Sequence, residues 1–80
     1  MDYQELKMVM RGKARLTKGL VNLLKDDAEH IYKDVTDFDA VHLEEDIREA
    51  KRTAQQLIDA VTDLEYYLYL AKSDPINIDA

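Results

Sequence analysis

From Leu43 onward, apolar side chains recur without a break at steps of four and three: Leu43, Ile47, Ala50, Ala54, Leu57, Val61, Leu64, Leu68 and Ala71. That spacing gathers them on one side of a helix and predicts a long helix over 40–72, packed along this row against other helices. Thr36, Asp37 and Asp39 precede it as cap residues, and Glu44, Glu45 and Asp46 place negative charge in its early turns, where the helix dipole favours it. Lys72, Ser73, Asp74 and the single proline, Pro75, mark its end, so residues 73–80 read as a tail.

The first half of the chain repeats the pattern with a flaw. Leu6, Val9, Leu16, Leu20, Leu23 and Ile31 keep helical spacing, but position 13 carries Lys13, next to Gly12. A glycine inside a helix costs about 1 kcal/mol relative to alanine. The pairing predicts a bend at Gly12, with a short helix over 3–11 and a longer one over 13–33. The connection from Lys33 to Asp39 is short enough to force the two long helices antiparallel. The expected fold is all-α: one helical-hairpin domain over 1–80 with a short N-terminal helix.

A chain of 80 residues buries only about 60% of its unfolded surface, which leaves a lone hairpin short of core. Apolar residues also lie off both rows: Met8, Met10, Val21 and Leu24 in the first segment, Ile58, Tyr66, Tyr67 and Tyr69 in the second. Symmetric self-association is the economical way to cover them. The absence of cysteine excludes a disulfide framework and a thiolate metal site, and suits a reducing compartment. No apolar run approaches the roughly 18 residues of a membrane span, nor is there a signal-peptide core, so the expectation is a soluble intracellular protein that does not bind membranes.

Charge is unevenly spread. Through Lys25 the chain carries six basic residues against two acidic ones; from Asp26 to Ala50 it carries ten acidic against two basic, within a net charge of −6. Lys7, Arg11, Arg15 and Lys18 follow at spacings of four, four and three, one ridge of a helix. The ridge reads either as a solvated face that pairs with the acidic half of another subunit or as a phosphate-binding surface. Duplex nucleic acid fits poorly, because the acidic segment repels a long polyanion. A small phosphorylated ligand, held by a few cations and stacked on an aromatic ring, meets no such objection. Tyr3 is the ring nearest the ridge. In a straight helix it stands about 22 Å from Lys18, since each residue rises about 1.5 Å. The two can share one nucleotide only if the chain folds back near Gly12 or if each comes from a different subunit.

Tyr3-x-Glu5-Leu6, followed by Val9, Gly12, Lys18 and Leu20, resembles the N-terminal pattern of bacteriophage anti-CBASS sponges. These are small helical-hairpin proteins that sequester cyclic-oligonucleotide alarm signals, and an anti-Thoeris sponge family shares the hairpin. The similarity covers residues 3–20. It implies dimers assembled into a hexamer, with cyclic dinucleotides held between two subunits. It implies that Tyr3 stacks on a base and that Lys18 contacts a phosphate; Lys7, Arg11 and Arg15 join the candidate site by the charge of their ridge alone. Some sponges also hold cyclic trinucleotides at separate sites through arginines, a role that Arg48 or Arg52 would fill by position. The setting implied is the cytoplasm of an infected bacterial host.

A sponge acts by binding alone. The sequence offers no nucleophile with a base beside it, no phosphate-cradling glycine loop and no His and carboxylate spacing for a metal, so the expectation is a non-enzyme without cofactor or metal. His30 and His42 flank the interhelix connection as loop and cap residues. The rival reading belongs to another class: an acidic hairpin that binds or inhibits a host protein through Asp26 to Glu49, as a nucleic-acid mimic.

Overall fold

The computed structural model describes residues 2–73 and consists of two antiparallel helices, α1 (Tyr3–Thr36) and α2 (Ala40–Ser73). Among the described residues there is no strand, and no helix is long and apolar enough to cross a membrane. The expected tail over 73–80 lies, beyond Ser73, outside the described residues.

Local chemistry sets both ends of α1. The Asp2 carboxylate accepts from the Glu5 backbone N–H at 2.8 Å, satisfying one of the free donors at the helix start. At the other end Phe38 adopts φ 53. Its N–H donates to the Val35 carbonyl at 3.3 Å and the Asp39 N–H to the Asp34 carbonyl at 2.9 Å, the paired bonds that close a helix with a left-handed residue. Asp39 then caps α2, accepting from the His42 N–H at 3.1 Å. Glycine is the usual occupant of the position Phe38 holds, since a Cβ strains that backbone by about 1–2 kcal/mol. The Phe38 ring is 93% exposed and recovers none of this through packing. Phe38→Gly is expected to raise the unfolding free energy by about 0.5–1 kcal/mol, after the greater freedom of glycine in the unfolded chain is subtracted, in a urea melt followed by circular dichroism.

The bend expected at Gly12 is absent: α1 runs unbroken for 34 residues, so the split into 3–11 and 13–33 is corrected to one helix. Gly12 lies on the solvent side, with nothing within 4 Å of where a Cβ would stand. Seam contacts hold the helix straight on both sides of it. Leu6 is buried before it, and Lys13 bonds Asp63 of α2 at 2.8 Å just after it. A kink would separate these contacts, and their loss outweighs the glycine penalty of about 1 kcal/mol.

The seam also differs from the row read in sequence. On α1 the covered positions run Tyr3, Leu6, Met10, Lys13, Thr17, Leu20, Leu24, Asp27, Ile31 and Asp34. On α2 they run Leu43, Asp46, Ala50, Thr53, Ala54, Leu57, Ala60, Asp63, Leu64, Tyr67, Leu70 and Ala71. Ile47, Val61 and Leu68, expected in the seam, are 40–48% exposed, and Asp46, Ala60 and Tyr67, one position earlier, take their places. Val9 is half-covered, and Leu16 and Leu23 are likewise exposed on α1. The apolar surface of each helix is wider than one row, and the hairpin packs on an edge that includes polar residues, where Lys13 reaches Asp63 while Asp27 Oδ2 and Asp34 Oδ2 have no hydrogen-bond partner. Only Leu6, Leu20 and Ala60 are buried apolar side chains among the described residues.

Candidate functional site

Straightness decides what α1 can hold. Lys7, Arg11, Arg15 and Lys18 are all exposed along one side of it. With no bend at Gly12, Tyr3 and Lys18 of one chain remain about 22 Å apart, so a small nucleotide cannot touch both within a single hairpin.

Tyr3 has other company. It lines a cleft of about 400 Å³ at the open end of the hairpin, with Leu6, Lys7, Met10, Leu68, Ala71 and Lys72. The Lys7 ammonium stands 5.9 Å from the centre of the Tyr3 ring, within cation–π range. An aromatic wall, apolar side chains and two lysines make a place where a flat ring can be covered and an attached anion neutralised. Lys72 serves in the sequence only as a sign of the end of α2. Its presence here follows from the antiparallel pairing, which sets the last turn of one helix beside the first turn of the other.

Lys13, Arg48 and Arg52 are engaged elsewhere. Lys13 fills the gap in the apolar row by reaching across the seam to Asp63, and that bond raises its pKa. Arg48 pairs with Glu44 and Arg52 with Glu49, both at 3.4 Å on exposed stretches of α2. They lie about 36 and 30 Å along the helix from Lys72, far from the Tyr3 cleft.

At the loop end the chemistry reverses. His30, Lys33, Asp34, Asp37, Asp39, His42 and Asp46 line a second cavity, of about 410 Å³. Asp34 is 8% exposed, and its Oδ2 has no hydrogen-bond partner. A hydrogen bond shared with Asp46, then burial and the nearby negative charge of Asp46 and Asp39, raise its pKa, against a smaller opposing effect of His42. His42 bonds Asp39 through Nδ1, which raises the imidazole and lowers the carboxylate. Among the described residues, no group of three His, Asp or Glu side chains is placed to hold a metal ion.

These shifts carry a sign. Asp34 and His42 both bind a proton more tightly in the folded protein, so their contributions are full below their unfolded values, about 3.9 and 6.5, and are lost as pH rises through the folded ones. Asp39 acts in the opposite sense, and its contribution is lost as pH falls through its lowered value. Stability should therefore rise from pH 8 towards pH 5 and fall in stronger acid. Burial and the charges of Asp46 and Asp39 disfavour the Asp34 carboxylate, and Asp34→Asn, whose amide can donate to Asp46, should melt at a higher temperature at pH 7. A lower melting temperature for the variant at pH 7 would refute this account of the pair.

Comparison of the chain with protein-family models, curated proteins and solved structures found no match.

Proposed function

We propose that this protein binds cyclic dinucleotides and sequesters them uncleaved, as an anti-CBASS sponge in the cytoplasm of a phage-infected bacterium. The observation that carries this reading is Tyr3 in an apolar cleft rimmed by Lys7 and Lys72, at the head of the exposed ridge Arg11, Arg15 and Lys18. A base covers the Tyr3 ring and the cations meet the phosphates.

The unbroken helix requires a second copy to complete the pocket. If two α1 helices cross antiparallel about residues 10 and 11, Tyr3 of one copy comes level with Lys18 of the other. The same crossing brings ridge against ridge, cation against cation. That contact is unfavourable until an anionic ligand lies between, so ligand and assembly stabilise each other. Higher assembly of such pairs, up to a hexamer, would create further sites, and Arg48 and Arg52 are the arginines available for a cyclic trinucleotide.

Isothermal titration with cyclic di- and trinucleotides, beside linear dinucleotide controls, tests the proposal, followed by recovery of ligand after heat denaturation. Tight binding of cyclic ligand recovered unchanged is expected. No heat with any of them would overturn the reading. It would favour the rival, a host-protein inhibitor acting through the acidic loop end, for which the row of carboxylates around Asp34 is the specific observation.

A further inference from the structure

At the loop end, away from the Tyr3 cleft, the hairpin buries one carboxylate against another. Asp34, in the last turn of α1, is 8% exposed and lines the loop-end cavity of about 410 Å³. Its Oδ2 accepts no hydrogen bond, and the group it faces across the two helices is Asp46 of α2, which lines the same cavity. A buried acceptor left unmade is costly, so a folded protein keeps one only where something else offsets it. Asp39 pairs with His42 at 2.5 Å. That leaves Asp34, Asp37 and Asp46 as three carboxylates against the exposed Lys33.

We propose that this cavity is a binding site for a guanidinium group, held between the Asp34 carboxylate of α1 and the Asp46 carboxylate of α2. The pair itself selects the ligand. Two carboxylates that meet across a helix pair either share a proton or take a cation between them. A metal ion fits poorly: among the described residues no three His, Asp or Glu side chains are grouped to hold one, and the cavity is of the size that takes an organic ligand. An ammonium is a compact point charge that keeps its water. A guanidinium is flat, weakly hydrated and carries five N–H donors in one plane, so it can donate to a carboxylate on each helix at once, with donors left for Asp37.

The proton is the competitor. With one proton between them the two carboxylates close on each other and bury Asp34; without it they repel, part and leave room for the cation. Asp34 holds that proton more tightly than an ordinary carboxylate does, through its hydrogen bond with Asp46, then burial and the charges of Asp46 and Asp39. The groups around the pair bias the exchange further. His30 and His42 become cationic in acid and repel the ligand, Lys33 repels it throughout, and Asp37, Asp39 and Glu45 attract it. Binding therefore tightens as pH rises from 5 to 8. The site stands about 46 Å along α1 from Tyr3, since each residue rises about 1.5 Å, and is independent of the nucleotide cleft.

Titration of the isotope-labelled full chain with methylguanidinium at constant ionic strength, followed by NMR, tests the site. Saturable shifts of the backbone amide signals around Asp34 and Asp46 are expected, with a dissociation constant of roughly 1–10 mM for so small a fragment. N-Methylurea, which has nearly the same shape and no charge, should leave those signals in place, and so should sodium. Asp34→Asn, the more stable protein at pH 7, should fold and bind methylguanidinium at least about 10-fold more weakly, while its titration with cyclic dinucleotides is unchanged, so the two proposals fail separately. Affinity should fall steadily from pH 8 to pH 5. A capped Gly-Arg-Gly peptide identifies the source: tighter binding than methylguanidinium assigns the group to an arginine of a partner protein, equal or weaker binding to a free small molecule. Equal shifts with methylurea or sodium, undiminished binding by Asp34→Asn, or an affinity that ignores pH would each overturn the site.

Discussion

Leu20→Ala is expected to lower the unfolding free energy by about 2–5 kcal/mol, the range for truncating a buried leucine. Leu20 is 6% exposed and is one of only three buried apolar side chains among the described residues, with Leu6 and Ala60. It sits across from Gln56, Asp59 and Ala60 of α2. A domain of this size rarely holds more than about 3–5 kcal/mol in its core, so most of the variant should be unfolded or dissociated at 37 °C. Urea unfolding followed by circular dichroism measures the loss. Leu23→Ala is the contrast, because Leu23 is 54% exposed and its truncation removes little buried surface. A cost below about 1 kcal/mol at Leu20 would mean that the seam is not where the structure puts it.

The hairpin was legible because its signals are local and repeated. Steps of three and four gave both helices, and cap chemistry at Asp39 gave the start of α2. The choice of seam was legible only in part: Leu43, Ala50, Ala54, Leu57, Leu64 and Ala71 are covered as their spacing predicts, and Ile47, Val61 and Leu68 are not. Ile47, Val61 and Leu68 make a better apolar row than Asp46, Ala60 and Tyr67, yet the hairpin packs on the second set. Two of its polar members engage partners from the other helix, Lys13 with Asp63 and Asp34 with Asp46. Neither residue of such a pair announces the other. The better row remains outside, with Ile47, Val61 and Leu68 at 40–48% exposed. Gly12 misled for a related reason: a propensity of about 1 kcal/mol is a fair guide in an isolated helix and a poor one where contacts flank it on both sides.

The candidate site divides in the same way. Tyr3 stood out from its type and position, and the ridge from its spacing. The cleft did not, because Leu68 and Lys72 join it only through the antiparallel register. This geometry sharpens the test of Tyr3. Tyr3→Ala should weaken cyclic dinucleotide binding roughly 5- to 150-fold, the equivalent of about 1–3 kcal/mol for one base stacked on an aromatic ring. Tyr3→Phe should bind nearly as well as the parent, since the stacking surface survives and the hydroxyl is dispensable. Lys18→Ala should also weaken binding, and by less at high salt, where a phosphate contact is already screened. Titration calorimetry at two salt concentrations separates the two effects, with circular dichroism to show that the helices persist. Should Tyr3→Ala bind as tightly as the parent while Lys18→Ala does not, the ring is packing against protein rather than a base. The phosphate site would then lie along Arg11, Arg15 and Lys18, and the cleft would belong to the assembly.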